Sequence, residues 1–140
     1  MATTTSAPGA SIAGGSFLLE TRSPDEIFTP EDFSEQHVLI GQTAEEFAQK
    51  EIVPNIEKME HKDFSITRDL LKKAGELGLS GVEIPEIYGG MELDKVSAAV
   101  IADHIAKYAG FATTWGGHTG IGTLPLVYFG NDAQKQKYLP

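Results

Sequence analysis

The stretch TPEDFSEQHVLIGQTAEEFAQKEIVP, residues 29–54, decides how the rest of the chain is read. Thr29, Pro30, Glu31 and Asp32 supply an N-cap, a proline at the first helical position and acidic residues in the first turn. Phe33, His37, Ile40, Ala44 and Phe47 then recur at helical spacing. This predicts a long amphipathic helix that starts at Thr29. Pro54 ends or kinks it, because the residue before a proline is pushed out of the helical region.

The same period continues downstream. Ser65 or Thr67 is placed to cap a second helix with Leu70, Leu71, Ala74 and Leu77 on its apolar face, stopped by Gly78 and Gly81. VEIPEIY, residues 82–88, reads as extended or irregular, and a Gly89-Gly90 turn follows it. Asp94 caps a third helix carrying Val96, Val100 and Ile105, closed by Lys107 and by Gly110 beyond it. Asn131 to Gln134 has capping-box form and opens a last helix, expected to be cut short by the end of the chain. No segment alternates long enough to make a strand. The predicted fold is all-α, a helical bundle with no substantial sheet, occupying residues 29–140.

Upstream, MATTTSAPGASIAGGS (residues 1–16) is too poor in apolar surface to order itself. Residues 1–28 are therefore expected to form a flexible tail and a docking arm, with Phe17, Leu18 and Leu19 as the part that docks.

Composition narrows the function classes. Hydrophobic residues at 41% and charged residues at 22% of 140 are ordinary for one globular domain. The absence of cysteine removes disulfides, thiolate metal sites and cysteine nucleophiles. A net charge of −9 with eleven scattered Lys and Arg leaves no basic face for nucleic acid or an anionic membrane, and equips this segment badly for the phosphates of coenzyme A. No apolar run approaches a membrane span. The first 15 residues lack both a signal peptide's apolar middle and a transit peptide's arginines, so the expected location is the cytoplasm.

FATTWGGHTGIGTLPLVYFG, residues 111–130, demands an explanation. It is apolar enough to be a buried helix, yet it holds Gly116, Gly117, Gly120 and Gly122. Each glycine inside a helix costs about 1 kcal/mol relative to alanine, against a net domain stability of only roughly 5–15 kcal/mol. Something is expected to come close to this backbone. Spacing leaves two readings open: tight helix packing or a loop, and a groove wall left open for an apolar ligand, with Trp115 and the threonines at its edge.

Three further stretches carry a resemblance. They are GELGL (75–79) running on to IPEIYGG (84–90), GHTGIG (117–122), and FGNDAQKQKYLP (129–140). Their order and spacing resemble the amino-terminal helical domain of the acyl-CoA dehydrogenases. GSFLLE (15–20) followed by FTPEDF (28–33) is similar to the longer, very-long-chain-type bacterial members. The resemblance covers nearly everything after residue 14.

It implies an FAD-dependent enzyme of fatty-acid β-oxidation that removes hydrogens from the α and β carbons of a fatty acyl-CoA. It also implies electron-transfer flavoprotein as the acceptor and a homo-oligomer, dimeric or tetrameric. The flavin contacts and the catalytic glutamate are expected downstream, in and beyond a following β-domain, so no catalytic, cofactor-binding or metal residue is assigned in residues 1–140, and the fragment alone is expected to be inactive. What carries over is the wall of the acyl-tail pocket: Thr113, Thr114, Gly116, Gly117 and Gly120. Medium-chain relatives place longer polar side chains at positions resembling Thr113 and Gly117. The small residues here imply a deep cavity and a preference for long acyl chains. The alternative is a stand-alone helical module for lipid binding or protein contact.

Other tempting residues have plainer readings. His118 has no second ligand at metal spacing and is expected to be a structural, hydrogen-bonded histidine. His37, His61 and His104 are expected to be structural or solvated, and Trp115 core or interface. Glu83 and Glu86 are expected in solvated or capping roles, and Lys135 and Lys137 on a solvated helix face. Tyr88-Gly89-Gly90 reads as turn chemistry, since no lysine follows in phosphate-loop form. A domain that packs against others should also expose a large apolar patch.

Overall fold

A computed structural model describes residues 15–140, apart from the side chain of Ser16. Among the described residues there are helices and turns and no strand, as expected. The ordered-tail question for residues 1–14 lies outside the described residues. The chain divides into two units, ending and beginning at Phe33 and Ser34.

The first unit holds three single 3-10 turns, Ser16–Leu18, Pro24–Glu26 and Pro30–Asp32. Thr29 does cap, but it caps only the last of these, its backbone N–H donating to Asp32 Oδ2 at 2.8 Å. The helix expected from Thr29 does not start there. Phe33 turns extended (φ −60°, ψ 130°), and its ring lies 6.0 Å from that of Phe28.

In the second unit α1 spans Glu35–Phe47, and Ser34 is its true N-cap. The Ser34 hydroxyl accepts from His37 N–H at 3.2 Å, and His37 Nδ1 accepts from Ser34 N–H at 3.2 Å. This is a capping box closed by histidine instead of Glu or Gln, so the usual pattern did not reveal it. The predicted face is otherwise the buried one: His37, Ile40, Ala44 and Phe47 all point inward.

Pro54 neither ends the course nor breaks it. A π-helical turn at Ala48–Ile52 and a 3-10 turn at Val53–Asn55 carry the chain into α2, Ile56–Glu60. Val53 stays helical before the proline (φ −52°, ψ −48°), and its N–H reaches back five residues to Ala48 O. The wide turn displaces the carbonyl that a proline ring would otherwise crowd.

Helix α3 runs Phe64–Glu76 and is capped by Asp63, not Ser65 or Thr67. The Asp63 carboxylate accepts from both Ser65 N–H (3.1 Å) and Ser65 Oγ–H (2.5 Å), so Ser65 donates instead of capping. Leu70 and Ala74 are buried, but Leu77 falls at the C-cap and is 48% exposed. Gly78 stops the helix at φ +78°, with Gly78 N–H on Gly75 O and Leu79 N–H on Ala74 O, each 2.9 Å. That pair of bonds is a Schellman motif.

The segment after it folds back on itself. Met91 N–H bonds Gly81 O, Glu92 N–H bonds Ile84 O and Leu93 N–H bonds Val82 O, which buries Leu79, Val82 and Ile84. Helix α4 (Lys95–Ala106) starts at Asp94 as expected, with Ser97 N–H on Asp94 Oδ1 at 2.8 Å. Helix α5 (Ala109–Gly116) begins almost at once, so Gly110 lies inside it and is no terminator. After α6 (Leu124–Phe129), α7 (Asp132–Tyr138) opens on the predicted Asn131–Gln134 box.

The core forms where α1 packs along α4 and α5 crosses both α2 and α3. Gly41 permits the α1–α4 approach: a Cβ there would stand 2.9 Å from Val100 Cγ1 and 3.2 Å from His104 Nε2. Phe47 meets Phe111 with ring centroids 5.9 Å apart, and Ile52, Ile101 and Ile105 are fully buried around them.

Candidate functional site

The glycine-rich segment is one interrupted helix: α5, then a π-helical turn over Gly117–Thr123, then α6. Pro125 stands two residues beyond the π turn, as Pro54 stands two residues beyond the other one. Leu124 before it stays helical, at φ −59° and ψ −37°. A wide turn ahead of a proline thus recurs at both places where proline enters a helical course.

The two faces of α5 differ sharply. Phe111 and Trp115, four residues apart, are buried, and Trp115 is core as expected. Thr113, Thr114 and Gly117 are exposed, with Gly116 and Gly120 half-buried beside them. The threonine hydroxyls fold back onto the backbone, Thr113 Oγ1 to Ala109 O at 2.9 Å and Thr114 Oγ1 to Gly110 O at 3.4 Å. Their methyl groups are left untethered, which makes this outer face less polar than its sequence suggests.

A Cβ added at Gly116, Gly117 or Gly120 would meet no atom within 4 Å. Among the described residues, then, nothing packs where a side chain would stand on these three glycines, whereas Gly41 does sit in a tight helix contact. Only Gly122 has a close neighbour, Gly117 O, at 3.1 Å from the added Cβ and within the same π turn. Among the described residues the five candidate residues lie on an exposed helix face. A small cavity beside this segment, about 30 Å³, is lined by Trp115, Thr119 and Thr123 and includes none of the five.

His118 is exposed on the π turn, where its carbonyl accepts from Thr123 Oγ1–H at 2.7 Å; the hydrogen-bonded structural side chain expected there is not found among the described residues. His37 is buried and bonded to Asp94, while His104 bonds Glu45 Oε2 at 2.8 Å. That bond, with Gln49 and Lys107, pushes the Glu45 carboxyl down to about 2. Among the described residues no group of three or more His, Asp or Glu could hold a metal ion.

Glu83 is ion-paired with Lys95, whose ammonium also lies 5.5 Å from the centre of the Tyr128 ring. Glu83 and Tyr128 together hold Lys95 above the usual lysine range. Glu86 is exposed at the start of a 3-10 turn. In Tyr88-Gly89-Gly90 the amides of Tyr88 and Gly90 bond Pro85 O and that of Gly89 bonds Glu86 O. Gly90 sits so close to the Ile84 carbonyl that an added Cβ would overlap it. The turn is closed on its own backbone and presents no cradle to a phosphate. Large apolar side chains are exposed at this end of the chain: Ile121 (84%), Phe129 (87%), Tyr128 and Tyr138. Among the described residues no helix is long and apolar enough to cross a membrane.

Comparison with known proteins accounts for this arrangement. The family described as acyl-CoA dehydrogenase, N-terminal domain, matches residues 34–140. A probable acyl-CoA dehydrogenase of Bacillus subtilis (strain 168) is 46% identical over 127 residues, covering 91% of this chain and 21% of that protein. The crystal structure of an acyl-CoA dehydrogenase from Bacillus anthracis, complexed with FAD, matches at 52% identity and a TM-score of 0.87, covering 93% of this chain and 23% of that one. A chain in the structure of the electron transferring flavoprotein of Acidaminococcus fermentans matches at 32% identity and a TM-score of 0.67, covering 79% of this chain and 29% of that one. The chain therefore spans between a fifth and a third of the length of these relatives. With the family's N-terminal domain matched over residues 34–140, the chain belongs to the acyl-CoA dehydrogenase family and forms that family's amino-terminal helical domain.

Proposed function

We propose that this domain supplies one wall of the acyl-tail site in an FAD-dependent enzyme that α,β-dehydrogenates fatty acyl-CoA in β-oxidation. The wall is Thr113, Thr114, Gly116, Gly117 and Gly120. The observation that carries the reading is the open space over Gly116, Gly117 and Gly120, three helix-weakening residues that no packing within the chain requires. An alkyl chain lying there would bury about 0.8 kcal/mol per methylene against a face with no side chains to displace. The exposed methyls of Thr113 and Thr114 beside it suit the same ligand.

FAD would supply the hydride acceptor for the β carbon, and a carboxylate would take the α proton. We assign neither to this chain, whose Tyr88-Gly89-Gly90 turn is closed on its own backbone. The acidic segment, at −9, also leaves the coenzyme A phosphates to residues elsewhere. Electron-transfer flavoprotein as electron acceptor, a dimer or tetramer, and a cytoplasmic location complete the proposal. Exposed Phe17 (51%), Leu18 (75%) and Leu19 (92%) support the docking arm, and the apolar side chains around Phe129 support contact with the rest of the enzyme.

Gly117→Gln in the full-length protein tests the wall. Activity should fall for long acyl-CoA relative to medium-chain substrates; an unchanged chain-length profile rejects the assignment. Anaerobic titration with a long-chain acyl-CoA tests the chemistry. Bleaching of the flavin absorbance is expected, and a colourless or unresponsive protein would refute the dehydrogenase reading.

A further inference from the structure

Two residues on different parts of the fold line the same small cavity, and each carries a buried polar atom without a hydrogen-bond partner among the described residues: Trp115 Nε1 and Ser80 Oγ. Trp115 is 7% exposed, and its indole N–H can only donate. Ser80 follows directly on the Schellman motif that ends α3, whereas Trp115 lies on α5. Leaving a buried donor unmet costs about 1–3 kcal/mol, so a fold rarely carries two of them side by side.

The cavity measures about 30 Å³, room for one water molecule and for no larger ligand. Its lining includes apolar Leu79 and Ile101, but also Thr119 and Thr123. Both threonine hydroxyl hydrogens are already committed, Thr119 Oγ1–H to Trp115 O at 3.0 Å and Thr123 Oγ1–H to His118 O at 2.7 Å. Their oxygens can therefore only accept. One face of the cavity donates through the indole, the threonines accept, and Ser80 can do either. A buried water makes about three hydrogen bonds, and this set provides them.

We infer that the cavity is the binding site of a single internal water that bridges Trp115 Nε1–H to Ser80 Oγ and to a threonine oxygen of the π turn. The water ties the loop after α3 to the inner face of the helix whose outer face is the candidate wall. Trp115, Thr119 and Thr123 are thereby explained as one positioning set. The site does not depend on what occupies the outer face.

The test uses the full-length protein. A crystal structure that resolves ordered water should show one peak within hydrogen-bond distance of both Trp115 Nε1 and Ser80 Oγ. A cavity without that peak, a side chain from elsewhere in the protein on the indole, or a direct Ser80–Trp115 bond would overturn the inference. Thermal unfolding gives a second reading through Ser80→Ala, Trp115→Phe and the double variant. Removing either partner should lower Tm, and Ser80→Ala should lower it clearly less once Trp115→Phe is in place. Additive Tm losses would show that no shared water links the two, and the milder Ser80→Ala keeps the structural readout available if Trp115→Phe does not fold.

Discussion

His37 Nε2 lies 3.0 and 3.2 Å from the two carboxylate oxygens of Asp94, and each of these residues completes the N-cap of a different helix. Nδ1 of His37 accepts from the Ser34 amide, which can only donate, so the ring carries its hydrogen on Nε2 and gives it to Asp94. Asp94 in turn accepts from Ser97 N–H and Ser97 Oγ–H. Burial raises the Asp94 carboxyl, but Ser97 and His37 outweigh it and hold the group below the usual aspartate range. One bond thus sets the relative position of the starts of α1 and α4, the pair with the most extensive packing.

Asp94→Ala should cost more than loss of a cap alone. The cap contributes about 1 kcal/mol, and stranding the buried His37 ring adds roughly another 1–3 kcal/mol. Asp94→Asn keeps a good capping side chain and should lose distinctly less. Urea unfolding of the two variants beside the parent checks the order; a loss for Asp94→Ala no larger than the cap's about 1 kcal/mol would mean that His37 gains nothing from the carboxylate.

Acid should weaken the α1–α4 contact through Glu45. Its carboxyl is pushed down to about 2 by His104 first, then Gln49 and Lys107, against an ordinary 4.5. A depressed folded value means that the stabilisation is fully present above pH 4.5 and is lost as the pH falls toward 2. Glu45→Gln should therefore flatten the acid limb of unfolding midpoint against pH in that window. Added salt should shrink the difference, since the group is solvent-facing.

Two glycine-to-alanine changes should have opposite signs. At Gly41 the new methyl would press on Val100 and His104, and overpacking of this kind costs about 1–3 kcal/mol, more than the roughly 1 kcal/mol gained in helix propensity. At Gly75, inside α3, an added Cβ meets nothing within 4 Å. There the propensity gain stands alone, and stability should rise by about 0.5–1 kcal/mol. Denaturant midpoints of both variants decide it.

Lys62 sits at φ +65°, two residues past the end of α2, with its N–H on Met59 O and that of Asp63 on Lys58 O. A side chain in that left-handed region costs about 1–2 kcal/mol that glycine avoids. Lys62→Gly should raise the unfolding midpoint, whereas Lys62→Val should lower it.

The course of helices came from signals that act within one turn of the chain. Helical spacing in residues 33–47, the Asn131–Gln134 box, the Asp94 cap and the Gly78 stop are local, because their partners are three to five residues away. They were legible, as was the family resemblance in residues 75–140. What misled was competition between equally local options. Thr29 offered a cap, but Ser34 with His37 offered a better one for the long helix, and His37 was fixed there by Asp94 some 57 residues on. Asp63 displaced Ser65 by the same kind of rivalry.

The tertiary structure alone decided which glycine meets a neighbour and which stands open. Gly41 and Gly117 look alike in sequence, but one faces Val100 across a helix contact and the other faces empty space. It likewise decided that Trp115 and Ser80 line one cavity, and that the outer face of α5 is left exposed. Such facts depend on elements brought together from far apart along the chain. A periodic pattern says which face of a helix is apolar, but not what lies against it.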